Sequence, residues 1–113
     1  MSECLFCKIA GKELDSDVLY ESETLLAFRD VNPVAPSHVL LIPKRHIASA
    51  DELGLVDGEL LGEVFETIAS LAAREGLGEG YRVVTNVGRD GGQAVDHLHF
   101  HLMGGRHMSW PPG

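Results

Sequence analysis

The chain has 113 residues, 44% hydrophobic and 23% charged, the make-up of a single ordinary globular domain over residues 1–113. A net charge of −8, with nine basic residues scattered and only Lys44 and Arg45 adjacent, argues against polymeric nucleic acid as a partner but leaves room for one small anion. No apolar run approaches the ~20 residues of a membrane span. The acidic start MSECLFCKIAGKELDSD does not read as a signal peptide, so a cytoplasmic location is expected, with Cys4 and Cys7 reduced unless metal-bound or catalytic.

In chain order, LFCKIAGK places Leu5, Phe6 and Ile9 on nearby helical positions and stops at Gly11, predicting one short helix. DVLYES and ETLLAFRDV predict two strands with their turn around SE. VNPVAPSH carries two prolines, which impose extended or turn geometry, and HVLLIP predicts a buried strand. ASADELGLVDG reads as irregular, with room for one helical turn. The main helix is predicted over 58–75, with Asp57 as N-cap, a stripe of Leu61, Val64, Phe65, Ile68, Leu71 and Ala72, and Gly76, Gly78 and Gly80 as its stop. YRVVTNV and HLHFHLMG are the last two strands, separated by a GRDGG loop, and GRHMSWPPG is an irregular tail. Five strands, one long helix and one short helix predict an α+β fold with a mostly antiparallel sheet.

The segment DHLHFHL holds the chemistry. In a strand, His97, His99 and His101 share one face while Leu98, Phe100 and Leu102 share the other, which can pack on the long helix. A solvated strand face usually carries Thr, Lys or Glu, so three imidazoles at period two point to a site. Such a row can bind a metal, attack phosphorus or acyl carbon, or grip an anion. Upstream, NVGRDGGQ offers Asn86, adjacent glycines whose backbone N–H groups can approach a phosphate, and the Gln93 amide. No carboxylate follows the His-x-His pairs at metal-ligand spacing, since Met103, Gly104, Gly105 and Arg106 come next. The balance favours phosphate chemistry. Cys4-x-x-Cys7 is half of a zinc site that needs two further ligands; the alternative is a pair of reduced thiols.

GGQAVDHLHFHL resembles the signature of the histidine triad (HIT) superfamily, DVNPVAPSHVLLIPKRHI its second block and FCKIAGKE its first, while GGRHMSWPPG is similar to the tail of the histidine triad nucleotide-binding branch. The resemblance implies a homodimer whose sheets join edge to edge. It also implies purine nucleoside monophosphates as ligands, and hydrolysis of their phosphoramidates through a nucleotidyl-histidine. His99 would be the nucleophile, supported by His97, His101 and His38. Asp30 would grip the ribose, and Asn86, Gly92, Gln93 and Ala94 would lie near the phosphate. Leu5, Phe6, Ile9, Phe28 and Val31 would line the purine slot, and Trp110 would reach the partner's site. No cofactor is needed for this chemistry, whereas some relatives hold a structural zinc, here on Cys4, Cys7, His46 and His97. One position departs from the family pattern: Ala94 stands where a serine hydroxyl is usual, which questions rate or leaving-group preference. Dinucleoside polyphosphate hydrolysis, or an adaptor dimer that binds nucleotide with little turnover, are the alternatives.

Overall fold

Val39, Leu40, Leu41 and Ile42 offer apolar side chains to both faces of a strand, so this strand belongs at the centre of a sheet. In the computed structural model, which describes residues 3–113, that strand is β3 (Ser37–Pro43), buried along its whole length. It follows α1 (Leu5–Ala10), β1 (Val18–Glu21) and β2 (Leu25–Arg29), and precedes two short 3₁₀ turns, α2 (Gly58–Arg74), β4 (Tyr81–Val84) and β5 (Phe100–Gly104). The sheet order is β1-β2-β3-β5-β4 with every pairing antiparallel, as the pattern predicted.

Alternation sorts the core into two halves. Leu25, Ala27, Val39, Leu41, Phe100 and Leu102 face α2 and meet Val64, Ile68, Leu71 and Ala72. Leu26, Phe28, Leu40 and Ile42 face the other way and are covered by Phe6 and Ile9 of α1. Burial of each such side chain stabilises the fold by about 1.5–3 kcal/mol. The sheet is thus a central layer, with a long helix on one side and a short one on the other.

Several expectations are corrected. Phe65 leaves the buried stripe and is 52% exposed, because it sits about 100° of arc beyond Val64; only its edge meets Phe100, at a centroid distance of 5.9 Å. Thr67 is buried instead. Asp57 occupies the N-cap position without capping α2. Its φ of −93° and ψ of 10° are not the extended cap geometry, and its carboxylate accepts from the Gly54 N–H at 3.0 Å and from Arg45 at 2.8 Å. ASADELGLVDG forms two 3₁₀ turns, Ala50–Glu52 and Leu55–Asp57, rather than one.

β5 begins at Phe100, not at His97. The register sets Leu41 opposite Phe100, which brings Pro43 level with Leu98. Proline has no N–H to donate to the carbonyl of Leu98, and the Leu98 N–H donates outside the ladder, to the Ile47 carbonyl at 2.6 Å. β4 is likewise shorter than YRVVTNV. Among the described residues, no helix is long and apolar enough to cross a membrane.

Candidate functional site

His97, His99 and His101 keep the predicted alternation even where the ladder has ended, since Leu98, Phe100 and Leu102 all enter the core against α2. The opposite face is not solvated, however. His97 is 0% exposed and His99 is 5% exposed. Phe6 of α1 packs edge-on against both rings, at centroid distances of 6.1 Å and 5.1 Å.

The hydrogen bonds assign a proton to each ring, because a backbone carbonyl can only accept and a backbone N–H can only donate. His99 Nδ1–H donates to the His97 carbonyl at 2.7 Å, which leaves the lone pair of the neutral ring on Nε2. His38 Nδ1 accepts from the Val34 N–H at 3.1 Å, so its proton resides on Nε2. That Nε2–H lies 2.9 Å from His101 Nδ1 and 3.4 Å from an Asp30 carboxylate oxygen. With Nδ1 of His101 accepting, its Nε2 carries the remaining proton. One ring therefore offers a lone pair and its neighbour an N–H donor, the two rings standing 5.1 Å apart. Burial, then the neighbouring rings of His99 and His38, lower His101 from 6.5 to about 4. Burial also lowers His38, against the opposing pull of Asp30.

His99 and His101 line a cleft of about 490 Å³. Leu5, Phe6, Ile9, Phe28 and Val31 give it an apolar wall, and Asp30, Asn86, Gly92 and Ala94 of the predicted set also line it. Asp30 also accepts the Asn32 N–H at 2.9 Å, which shapes the turn after β2. Asn86 donates to the Gly91 carbonyl at 2.7 Å and so folds the glycine loop against the cleft. Gly91 is required there because a Cβ would collide with the Val87 carbonyl, and Gly92 because its φ is +80°. Gln93 does not line the cleft. Its amide oxygen accepts from the Gly88 N–H at 2.9 Å and its nitrogen donates to the Ala48 and Val95 carbonyls, so it braces the loop from behind. Trp110 is 84% exposed and outside the cleft lining of this protomer.

His97 also departs from the cleft. Its Nε2–H donates to the Pro43 carbonyl at 2.8 Å, the group that the interrupted ladder left open, and its Nδ1 faces Cys4, Cys7 and His46. Burial lowers its pKa, which keeps the ring neutral. The Nδ1 of His97 lies 3.4 Å from Cys4 Sγ, 3.5 Å from Cys7 Sγ and 3.2 Å from His46 Nδ1, and Cys7 Sγ lies 3.3 Å from His46 Nδ1. A tetrahedral zinc with S ligands at about 2.3 Å and N ligands at about 2.0–2.1 Å requires N–N edges of roughly 3.3 Å and N–S edges of roughly 3.5–3.6 Å. The donor set fits: two sulfurs, two imidazoles, and on His97 a lone pair aimed inward with its other N–H anchored to a carbonyl, as metal-bound histidines require. Cys7 comes from α1 and Cys4 from its N-cap, His46 follows β3 and His97 precedes β5.

Sequence reasoning missed the Pro43 and His97 carbonyls, which as backbone groups leave no residue-type signal. It also missed Asp15, Ser16, Asn32 and Val95, which line the cleft from loops.

A family described as the HIT domain matches residues 11–108. A HIT-like protein of Synechococcus elongatus is 52% identical over 114 residues, covering 100% of both chains. A 14 kDa zinc-binding protein of Zea mays is 49% identical over 99% of this chain and 89% of its own length. The crystal structure of a HIT family hydrolase from Legionella pneumophila superposes with a TM-score of 0.96 at 51% identity, covering 98% of this chain and 100% of that one.

Proposed function

Because this chain belongs to the HIT domain family, we propose that it is a nucleotide hydrolase whose nucleophile is His99. The observation that carries this reading is the bond from His99 Nδ1–H to the His97 carbonyl, which directs the Nε2 lone pair of this buried ring to attack. The apolar wall of Leu5, Phe6, Ile9, Phe28 and Val31 suits a purine, and Asp30 a ribose hydroxyl. The glycine loop with Asn86 and the Nε2–H of His101 then suit the phosphate.

The substrates proposed are phosphoramidates of purine nucleoside monophosphates. His99 Nε2 attacks phosphorus, and the electron pair of the P–N bond departs on the amine nitrogen, which takes a proton from His101. Water then attacks phosphorus and returns a proton to His101, and the P–Nε2 pair goes back to His99 as AMP or GMP leaves. In the nucleotidyl form the His99 ring is cationic, and the His97 carbonyl on Nδ1–H stabilises it. An anionic phosphate entering against His101 opposes the effect of burial and favours its charged form, the His38 Nε2–H then turning from His101 Nδ1 to the Asp30 carboxylate oxygen 3.4 Å away, so the substrate brings its own acid into the working state. The residues fit a structural zinc at Cys4, Cys7, His46 and His97, which would supply cross-linking and no step of the reaction.

The tail GGRHMSWPPG and the outermost place of β4 in the sheet support a nucleotide-binding-branch homodimer, with Trp110 offered to a partner. Ala94, a methyl group where the resemblance expects a hydroxyl, favours a second reading, a nucleotide-binding dimer with little turnover. Following AMP release from adenosine 5′-phosphoramidate separates the two. Wild type turns over, and His99→Ala lowers kcat by at least about 10³-fold while still binding AMP. Equal, negligible rates in both proteins would leave only the binding reading.

A further inference from the structure

The short helix α1 belongs to both sites at once. Its Leu5, Phe6 and Ile9 form much of the apolar wall of the cleft, while Cys4 at its N-cap and Cys7 within it belong to the thiol–imidazole cluster. A helix of six residues is far below the ~12–15 needed to persist by itself. Among the described residues, backbone hydrogen bonds from 4–14 outside the helix all close within that segment: Lys8 to Cys4, Gly11 to Cys7, Lys12 to Ile9, and Glu13 and Leu14 to Lys8. Among the described residues, this segment is tied to the sheet by Phe6 and Ile9 packed on Leu26, Phe28, Leu40 and Ile42 with Cys4 and Ala10 beside them, by the exposed Lys12–Glu21 ion pair, and by the cluster.

The cluster also touches the nucleophile. The ring of His97 is held on one side by the Pro43 carbonyl and on the other by the Cys4, Cys7 and His46 donors, and the carbonyl of the same residue accepts the Nδ1–H of His99. Phe6 wedges between the two systems, edge-on to His99 and to Phe28.

We infer that the Cys4–Cys7–His46–His97 cluster is a metal-operated latch: closed by zinc, it holds α1 as the wall of the nucleotide cleft and fixes the proton of His99 on Nδ1. This deepens the hydrolase reading, on which it rests for the role of His99. Cys4, Cys7 and His46 are then positioning residues, acting on the reaction only through α1 and the His97 carbonyl. Thiolate ligands release protons when the metal binds, so nucleotide affinity follows metal and thiol availability.

The test compares zinc-loaded wild type with the same protein stripped by a chelator, using ¹⁵N-histidine NMR, amide exchange of residues 5–10, and titration with AMP. Closed, the latch gives one His99 tautomer with a protonated Nδ1 and protected α1 amides. Stripped, it gives mixed His99 tautomers, α1 exchange faster by about tenfold or more, and AMP affinity weaker by a similar factor. His46→Gln, which alters a ligand outside the cleft lining, reproduces part of that change, so the test survives if Cys7→Ser does not fold. Failure to take up about one zinc per chain overturns the inference. So does a stripped protein whose His99 tautomer and α1 exchange are unchanged, even if its Tm falls. Absence of AMP release from both forms sinks the hydrolase reading alone, because the tautomer and exchange results still decide the latch.

Discussion

Acidification isolates His101. Burial holds its folded pKa at about 4 against an ordinary 6.5, so the folded protein keeps the ring neutral while the unfolded chain protonates it. The group therefore contributes stability that is complete above about 6.5 and is lost as the pH falls towards 4. Linkage over that gap has an upper limit of about 3.4 kcal/mol, and between about pH 7.5 and pH 5 it amounts to about 2 kcal/mol. The ring borders the open cleft, and solvent screening reduces the observable loss to about 1–2 kcal/mol. Urea unfolding of zinc-loaded wild type and zinc-loaded His101→Gln across this range reads that amount as the difference in slope, since acid release of the metal is common to both. The imidazole proton shifts of His101 give the midpoint directly, and AMP should move it upward. Equal losses in wild type and variant, or a midpoint near 6.5 in the free protein, would refute both the buried-neutral ring and its assignment as a substrate-charged acid.

Ala94→Ser places a hydroxyl in the cleft beside the glycine loop. One added hydrogen bond near the scissile bond is worth about 0.5–1.5 kcal/mol, so kcat on a phosphoramidate rises about 2- to 13-fold in steady-state assays, and no rise would remove the missing serine as the cause of slow turnover. At the far end of α2, Arg29 holds the Glu75 carboxyl below the usual carboxylate range, with the paired contacts at 2.8 and 3.0 Å and Ser37 adding a third. Glu75→Gln costs about 1–3 kcal/mol, towards the lower figure because Arg29 is partly exposed. Its Tm deficit is full above about pH 4.5 and fades as the pH falls through the depressed carboxyl pKa.

Local rules made the layers legible. The continuous apolar run of HVLLIP and the helical stripe of Leu61, Val64, Phe65, Ile68, Leu71 and Ala72 depend only on neighbours along the chain; the strand is buried along its length, and the stripe faces the core except at Phe65. Period-two alternation set the three histidines apart from Leu98, Phe100 and Leu102. Errors arose where a neighbour in space intervened. Arg45 and Gly54 took the Asp57 carboxylate from the helix it was expected to cap, and Gln93 was drawn behind the glycine loop by Ala48.

The division of labour among the histidines is tertiary. Along the chain, His97, His99 and His101 are equivalent, and only resemblance told them apart. What separates them is the end of the ladder at Pro43: the Leu98 N–H goes to Ile47, and the Pro43 carbonyl takes one ring instead and turns it towards cysteines 93 and 90 positions away. The next ring is then aimed by a backbone carbonyl and the third by His38, a residue 63 positions distant. Residue types and their period determined that a reactive face exists. The directions of the lone pairs, on which nucleophile, donor and metal ligand depend, were decided by groups that only the folded chain brings within hydrogen-bonding distance.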